Sequence, residues 1–257
     1  MPPLRRQEAS GDMPAYYNEI DPYAAQWLRN LIAAGHIAAG DVDERSIVDV
    51  RPDDLRGYAQ CHFFAGIGGW SYALRLAGWP DDRHVWTGSC PCQPFSLAGR
   101  RRGFADERHL WPVWQQLIAE RRPAKVFGEQ VASAADWLRL VRSDLEAVGY
   151  AVGAMPVQAA SAGADHLRDR YWFVADAESR ENRRVLKPRL WTDPAASGDS
   201  RHEWVIGADG KSRRVKSGIR LLAHGVPARV GKLRAFGNAI DPRPAAAFIK
   251  AACGVAP

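Results

Sequence analysis

Three glycines in four residues, within Phe64-Ala65-Gly66-Ile67-Gly68-Gly69, constrain the fold of this chain more than any other feature. They follow the mainly apolar run Cys61-His62-Phe63-Phe64 and precede a helical pattern around 71–77. A short run without clean alternation reads as a strand buried on both faces, and glycines at its exit let the backbone turn sharply and come close to a ligand. A strand that enters such a turn and leaves as a helix is a building unit of a layered α/β sheet.

The rest of the chain alternates in the same way. The spacing predicts a strand over 15–20, and then a helix opened by Pro22 with Ala24, Ala25, Trp27, Leu28, Leu31 and Ile32 on one face. A strand is expected over 46–50, a linker over 51–60, a helix over 109–122, a strand over 126–128 and a helix over 134–148. Strands over 150–157 and 171–174 follow, and a helix over 242–252 closes the chain. The expected architecture is a mostly parallel sheet with helices on both faces. Residues 1–13 lack periodicity and are expected to be loosely ordered. Between 177 and 218 the texture turns to Arg, Asp, Ser and Pro, with a hairpin signal at Asp209-Gly210 inside 204–215. The chain therefore divides into a main α/β domain over 14–176, a small lobe over 177–218 and a return to the main domain over 219–257.

Composition narrows the function classes. With 257 residues and 46% hydrophobic content the chain can bury a sizeable core. No apolar run approaches the ~20 residues that span a bilayer, and the four cysteines, 61, 90, 92 and 253, show no metal-finger pairing, so neither a membrane nor a metal is expected. A reducing, cytoplasmic setting in a bacterial or phage-infected cell and a monomeric state are the corresponding expectations. The formal charge of +6 and the clusters Arg100-Arg101-Arg102, Arg121-Arg122, Arg183-Arg184 and Lys211-Ser212-Arg213-Arg214 suit a polyanionic partner, although a solvated basic surface accounts for charge alone equally well.

Chemistry concentrates in Gly88-Ser89-Cys90-Pro91-Cys92-Gln93-Pro94-Phe95-Ser96. Prolines on both sides of Cys92-Gln93 fix φ and bias the preceding residues toward extended backbone, so the loop can hold one sulfur in one direction. A thiol becomes a nucleophile when its surroundings favour the thiolate. The bland alternative is a small hydrophobe in a turn. Gly103, Phe104, Asp106 and Arg108 follow, as a Gly-Phe-x-Asp-x-Arg element.

The loop Pro91-Cys92-Gln93-x-Phe95-Ser96, that second element and the glycine turn together resemble the DNA cytosine-5 methyltransferase family. The resemblance implies a Rossmann-like α/β sheet with a small target-recognition lobe, S-adenosylmethionine as methyl donor, and double-stranded DNA as partner. It also implies that Cys92 adds to C6 of an extruded cytosine, with Cys90 structural. Glu129, in Gly128-Glu129-Gln130-Val131, resembles the family's Glu-Asn-Val element and would bond N3 and the exocyclic amine; Gln130 departs from the usual Asn. His166-Leu167-Arg168-Asp169-Arg170 resembles the Gln-x-Arg-x-Arg element, which gives Arg170 the base O2 and Arg168 the nucleophile loop or a phosphate, with His166 a second departure. Phe64, Gly66, Gly68 and Gly69 would line the methionine end of the donor, and Asn238 its carboxylate. Gln93, Ser96, Arg100, Arg101 and Arg102 would close over the target, and Arg213 and Arg214 would read sequence.

One part of the pattern is out of order. The interval 78–84 is too short for the two strand-helix units that the family places between its glycine turn and its cysteine loop. Asn18-Glu19-Ile20-Asp21-Pro22 looks like the ribose-binding element, and Gly40-Asp41-Val42-Asp43-Glu44-Arg45 like the adenine-binding one, both upstream of the turn. The resemblance then gives Glu19 the ribose, Ile20 the adenine face and Asp43 the adenine amine, with Asp41 competing. Strands at one side of a parallel sheet can be spliced ahead of the central strand if a linker reaches; the alternative is that 14–50 form an unrelated cap. Rival functions are the same chemistry on RNA, a catalytically silent DNA-binding relative, and a nicotinamide-dependent dehydrogenase, which has no use for the cysteine loop.

Overall fold

A computed structural model describes residues 14–91, 110–131, 135–158, 169–177, 202–206, 212–216 and 239–253. Strands β1 (Ala15–Asn18), β2 (Gly40–Asp43), β3 (Gln60–Phe63), β4 (Val85–Gly88), β5 (Lys125–Val131), β6 (Ala151–Gln158) and β7 (Asp169–Asp176) form one sheet in the order β2-β1-β3-β4-β5-β7-β6. β1 to β5 run parallel, and β7 lies antiparallel between β5 and β6. Helices α1 (Pro22–Ala33), α2 (Gly69–Leu76), α3 (Trp111–Arg121), α4 (Ala135–Ala147) and α5 (Pro242–Ala252) pack around it. A separate hairpin pairs β8 (His202–Ile206) with β9 (Ser212–Lys216), as the Asp209-Gly210 signal predicts.

Strand side chains alternate between two faces. On one face Tyr16, Cys61, Phe63, Trp86, Val126 and Phe173 meet Trp111, Trp114, Trp137 and Val141 of α3 and α4. On the other, Phe127, Trp172 and Val174 meet Trp70 and Leu74 of α2 and Phe248 of α5. Ala15 and Tyr17 join Leu28 of α1 in a third cluster. Burial on both faces explains why these strands read as compact apolar runs.

The helix starts are specified locally. Asp21 accepts from the N–H groups of Tyr23 and Ala24 with Pro22 following it, and Asp241 caps α5 ahead of Pro242 in the same way. Two expectations need correction. The strand expected over 46–50 is absent: β2 lies earlier, and Ile47–Asp49 is a 3-10 turn whose Ile47, with Val50, packs into the core three residues apart. The linker over 51–60 likewise contains a second 3-10 turn, Pro52–Leu55.

The strand order decides between the two readings of the segment before the glycine turn. β1 sits between β2 and β3, so the segment before the glycine turn supplies two parallel strands of the main sheet, and the reading of 14–50 as a separate cap is excluded.

Candidate functional site

The centre of the sheet is a switch point. From β3 the strands proceed through β1 and β2 on one side and through β4 and β5 on the other, and such a crevice at the carboxyl ends of the strands is where α/β sheets bind ligands. Four segments meet there: Asn18-Glu19-Ile20 after β1, the glycine turn after β3, Ser89-Cys90-Pro91 after β4, and Glu129 near the end of β5.

Glu19 reaches across to the glycine turn despite preceding it by more than forty residues. Its Oε2 accepts from the Gly66 N–H at 2.7 Å and its Oε1 from the Asp21 N–H at 2.9 Å. The Asn18 carbonyl accepts from the Ala65 N–H at 3.0 Å, so β1 holds the turn from two successive residues. The turn is left-handed at Phe64, Gly66 and Gly68, with φ of 51°, 56° and 82°. Its glycines do different work. A Cβ on Gly66 would meet nothing within 4 Å, so that position opens to space. One on Gly68 would press Ile37 and Leu28 at 3.1 and 3.2 Å, and one on Gly69 would overlap Ile240 at 2.7 Å. Gly66 thus faces open space, and the other two allow close packing. Phe64 turns its ring edge-on to Trp114 at 6.3 Å. Ile20 stands 64% exposed beside Glu19, an apolar surface available for stacking.

Both acidic residues on β2 have partners within the protein. Asp43 is buried, and its carboxylate accepts from the Tyr16 hydroxyl at 2.7 Å and from the backbone, Nε and Nη2 of Arg45. Burial pushes the Asp43 carboxyl up, but the Arg45 and Tyr16 bonds outweigh it and hold the pKa below the usual range. With these bonds the carboxylate's acceptor positions are taken up. Asp41 lies two residues earlier on β2 and accepts from the Tyr58 hydroxyl at 2.7 Å. Sequence reading missed Asn18 and Arg45, although both lie within the quoted motifs. The Asn18 amide donates to the Arg45 carbonyl at 2.8 Å, fastening the ends of β1 and β2 together.

On the other side of the crevice, β4 and β5 end level with each other, Gly88 opposite Gly128. Glu129 therefore stands beside the start of the cysteine loop. It is buried, faces Trp172 of β7, and forms an ion pair from Oε1 to Arg170 Nε at 2.5 Å, a diagonal contact across antiparallel strands. Gln130 is buried one residue further on. Cys90 packs into the core and burial pushes its thiol pKa well up, so it remains a protonated thiol, the structural role expected of it. Cys92, Gln93, Ser96, Arg100, Arg101, Arg102, His166, Arg168 and Asn238 lie outside the described residues. Arg213 and Arg214 fall on β9, in register with Val205 and Trp204. Among the described residues no helix is long and apolar enough to cross a membrane.

Residues 79–203 match the family model described as C-5 cytosine-specific DNA methylase. The match begins past the glycine turn. Among solved structures, the chain is similar to a mutant of Spodoptera frugiperda DNMT2, at 15% identity and TM-score 0.46 over 72% of this chain and 50% of that one. It is also similar to the Entamoeba histolytica methyltransferase EhMeth, at 11% identity and TM-score 0.39 over 67% and 55%. A third is S. pombe Dnmt2 methyltransferase, at 14% identity and TM-score 0.38 over 63% and 50%. The chain spans about half the length of these structures. No curated protein matches it.

Proposed function

We propose that the chain transfers a methyl group from S-adenosylmethionine to C5 of cytosine in double-stranded DNA. The observation that carries this reading is the placement, at the carboxyl ends of the central strands, of the Glu19-bound glycine turn, the buried Glu129–Arg170 pair and the stem of the cysteine loop.

The residues present fit the donor. The open side of Gly66 leaves room for it, the Glu19 carboxylate suits ribose hydroxyls, and the exposed Ile20 suits an adenine face. When bound, the donor supplies a methyl group made electrophilic by its sulfonium. Cys92 as thiolate adds to cytosine C6, which makes C5 nucleophilic toward the methyl group; loss of the C5 proton to a base then expels the thiolate from C6 and restores the aromatic ring, so covalent catalysis divides one hard step into easier ones. Glu129, protonated before sulfur adds, hydrogen-bonds N3 and the exocyclic amine, delivers that proton to N3 as the Cys92–C6 bond forms, and is left as the carboxylate that pairs with Arg170. Arg170 holds the Glu129 carboxylate in place and reaches O2 of the base. The reacting carbons lie within the base stack, so the target is extruded from the duplex at a cost of a few kcal/mol. Arg168 and the basic residues near Cys92 serve the backbone of the nucleic acid, Asn238 serves the donor, and the small lobe with Arg213 and Arg214 reads sequence.

The test is incorporation of a labelled methyl group from S-adenosylmethionine into duplex DNA and, in parallel, into RNA, with the modified base identified by mass. 5-Methylcytosine in the duplex is the expected product. Label in RNA alone moves the substrate, and label in neither overturns the reading.

A further inference from the structure

We infer that Trp70 is a positioning residue that fastens the stem of the cysteine loop to the first turn of the helix opened by the glycine turn. This rests on the proposed function for its catalytic consequence but not for its geometry. The Trp70 indole N–H donates to Ser89 Oγ at 3.0 Å, and Ser89 is the first residue beyond β4 on the way to Cys92. Trp70 directly follows Gly68 and Gly69 at the start of α2. Its ring lies edge-on to Trp172 at 5.4 Å, the residue opposite Glu129 on β7, and stacks on Phe127 of β5 at 6.3 Å. Buried among α2, β5 and β7, one side chain touches the donor-side helix, the nucleophile-side stem and the strand facing the general acid. An indole inside an apolar cluster fixes position through packing, while its one N–H selects a single partner. Trp70 touches neither reacting atom; it acts through Ser89.

The bond is separable from the packing. Trp70→Phe keeps an aromatic ring and removes the donor, Ser89→Ala removes the acceptor from the other side, and the double variant closes the cycle. Two quantities are read: methyl-transfer kinetics, and amide hydrogen exchange at Ser89 and Cys90. The expected result is that each single variant lowers kcat roughly fivefold, the loss of one neutral hydrogen bond, with the KM for S-adenosylmethionine unchanged. Exchange at the two stem amides rises by a similar factor, and the double variant is no worse than either single one. Independent, multiplying losses overturn the coupling, as does a loss that falls on donor KM, or stem amides that exchange in Trp70→Phe as they do in wild type. Wild-type protein that methylates nothing overturns the catalytic reading alone, and the exchange arm then decides the fastening by itself.

Discussion

At the scale of single residues, Glu19 is oriented by two backbone N–H groups, from Asp21 and Gly66, so its carboxylate is set before any ligand arrives. Under the proposed function, Glu19→Gln keeps the shape and loses the charge. Binding of S-adenosylhomocysteine is expected to weaken roughly tenfold or more, the cost of losing charged hydrogen bonds, in a calorimetric titration; unchanged affinity removes Glu19 from the ribose. Glu129 is held by Arg170, and the proposed function gives it the chemical step. Glu129→Gln is therefore expected to lower single-turnover methyl transfer by about 10²–10⁴-fold, the range of a lost acid–base group, while donor affinity stays the same. A loss that appears in donor affinity and leaves the chemical step intact would place it elsewhere. Motif reading located both residues, but it did not foresee that Asp43 spends its carboxylate on Arg45 and Tyr16, because those partners become neighbours only once β1 and β2 lie side by side.

At the scale of elements, β3 and β4 carry the middle of the sheet, and both make testable contacts. A Cβ on Gly88 would lie 2.6 Å from the ring of Trp114, which is fully buried. Gly88→Ala should cost about 1–3 kcal/mol through overpacking, read from denaturant midpoints; an unchanged midpoint would mean that α3 yields freely. His62 on β3 bonds Thr87 Oγ1 at 2.8 Å and Gln60 Oε1 at 3.2 Å and stacks on Tyr17, and burial lowers its pKa from 6.5 to about 3. Between those values the unfolded chain binds a proton that the folded one does not, so stability falls as pH drops through that window. His62→Gln should lose this share of the slope between about pH 7 and about pH 4.5, above the range where Asp43 titrates. An identical slope in the variant contradicts the buried neutral ring. The helices and the hairpin were legible because caps, prolines and turn residues mark them in the sequence. β4 escaped notice, since four residues buried on both faces show no period. β2 was displaced because Gly-Asp-Val-Asp is polar and short, whereas the apolar spacing nearby belongs to a 3-10 turn.

At the scale of the whole molecule, the strand order predicts that residues 14–50 are integral to the sheet. β1 is paired on both sides, and Tyr17 bonds the Ala38 carbonyl at 2.7 Å and Ser71 at 3.0 Å. A protease site placed at the exposed Arg56-Gly57 and then cut should leave two fragments that co-elute and unfold in one transition, because each buries the other's strand edge. Fragments that separate under native conditions contradict that topology. The place of 14–50 in the sheet was legible because β1 and α1 carry strand and helix patterns of their own; which face each side chain takes was not, because that depends on register.

The central claim is a bond from one particular sulfur to cytosine, and intact-mass analysis after incubation with S-adenosylmethionine and a duplex containing 5-fluorocytosine tests it most directly. The expected product is a protein–DNA adduct that survives denaturation, maps to the Cys92 peptide, disappears in Cys92→Ser and persists in Cys90→Ala. An adduct on Cys90, or none from protein that binds the duplex and the donor, contradicts it.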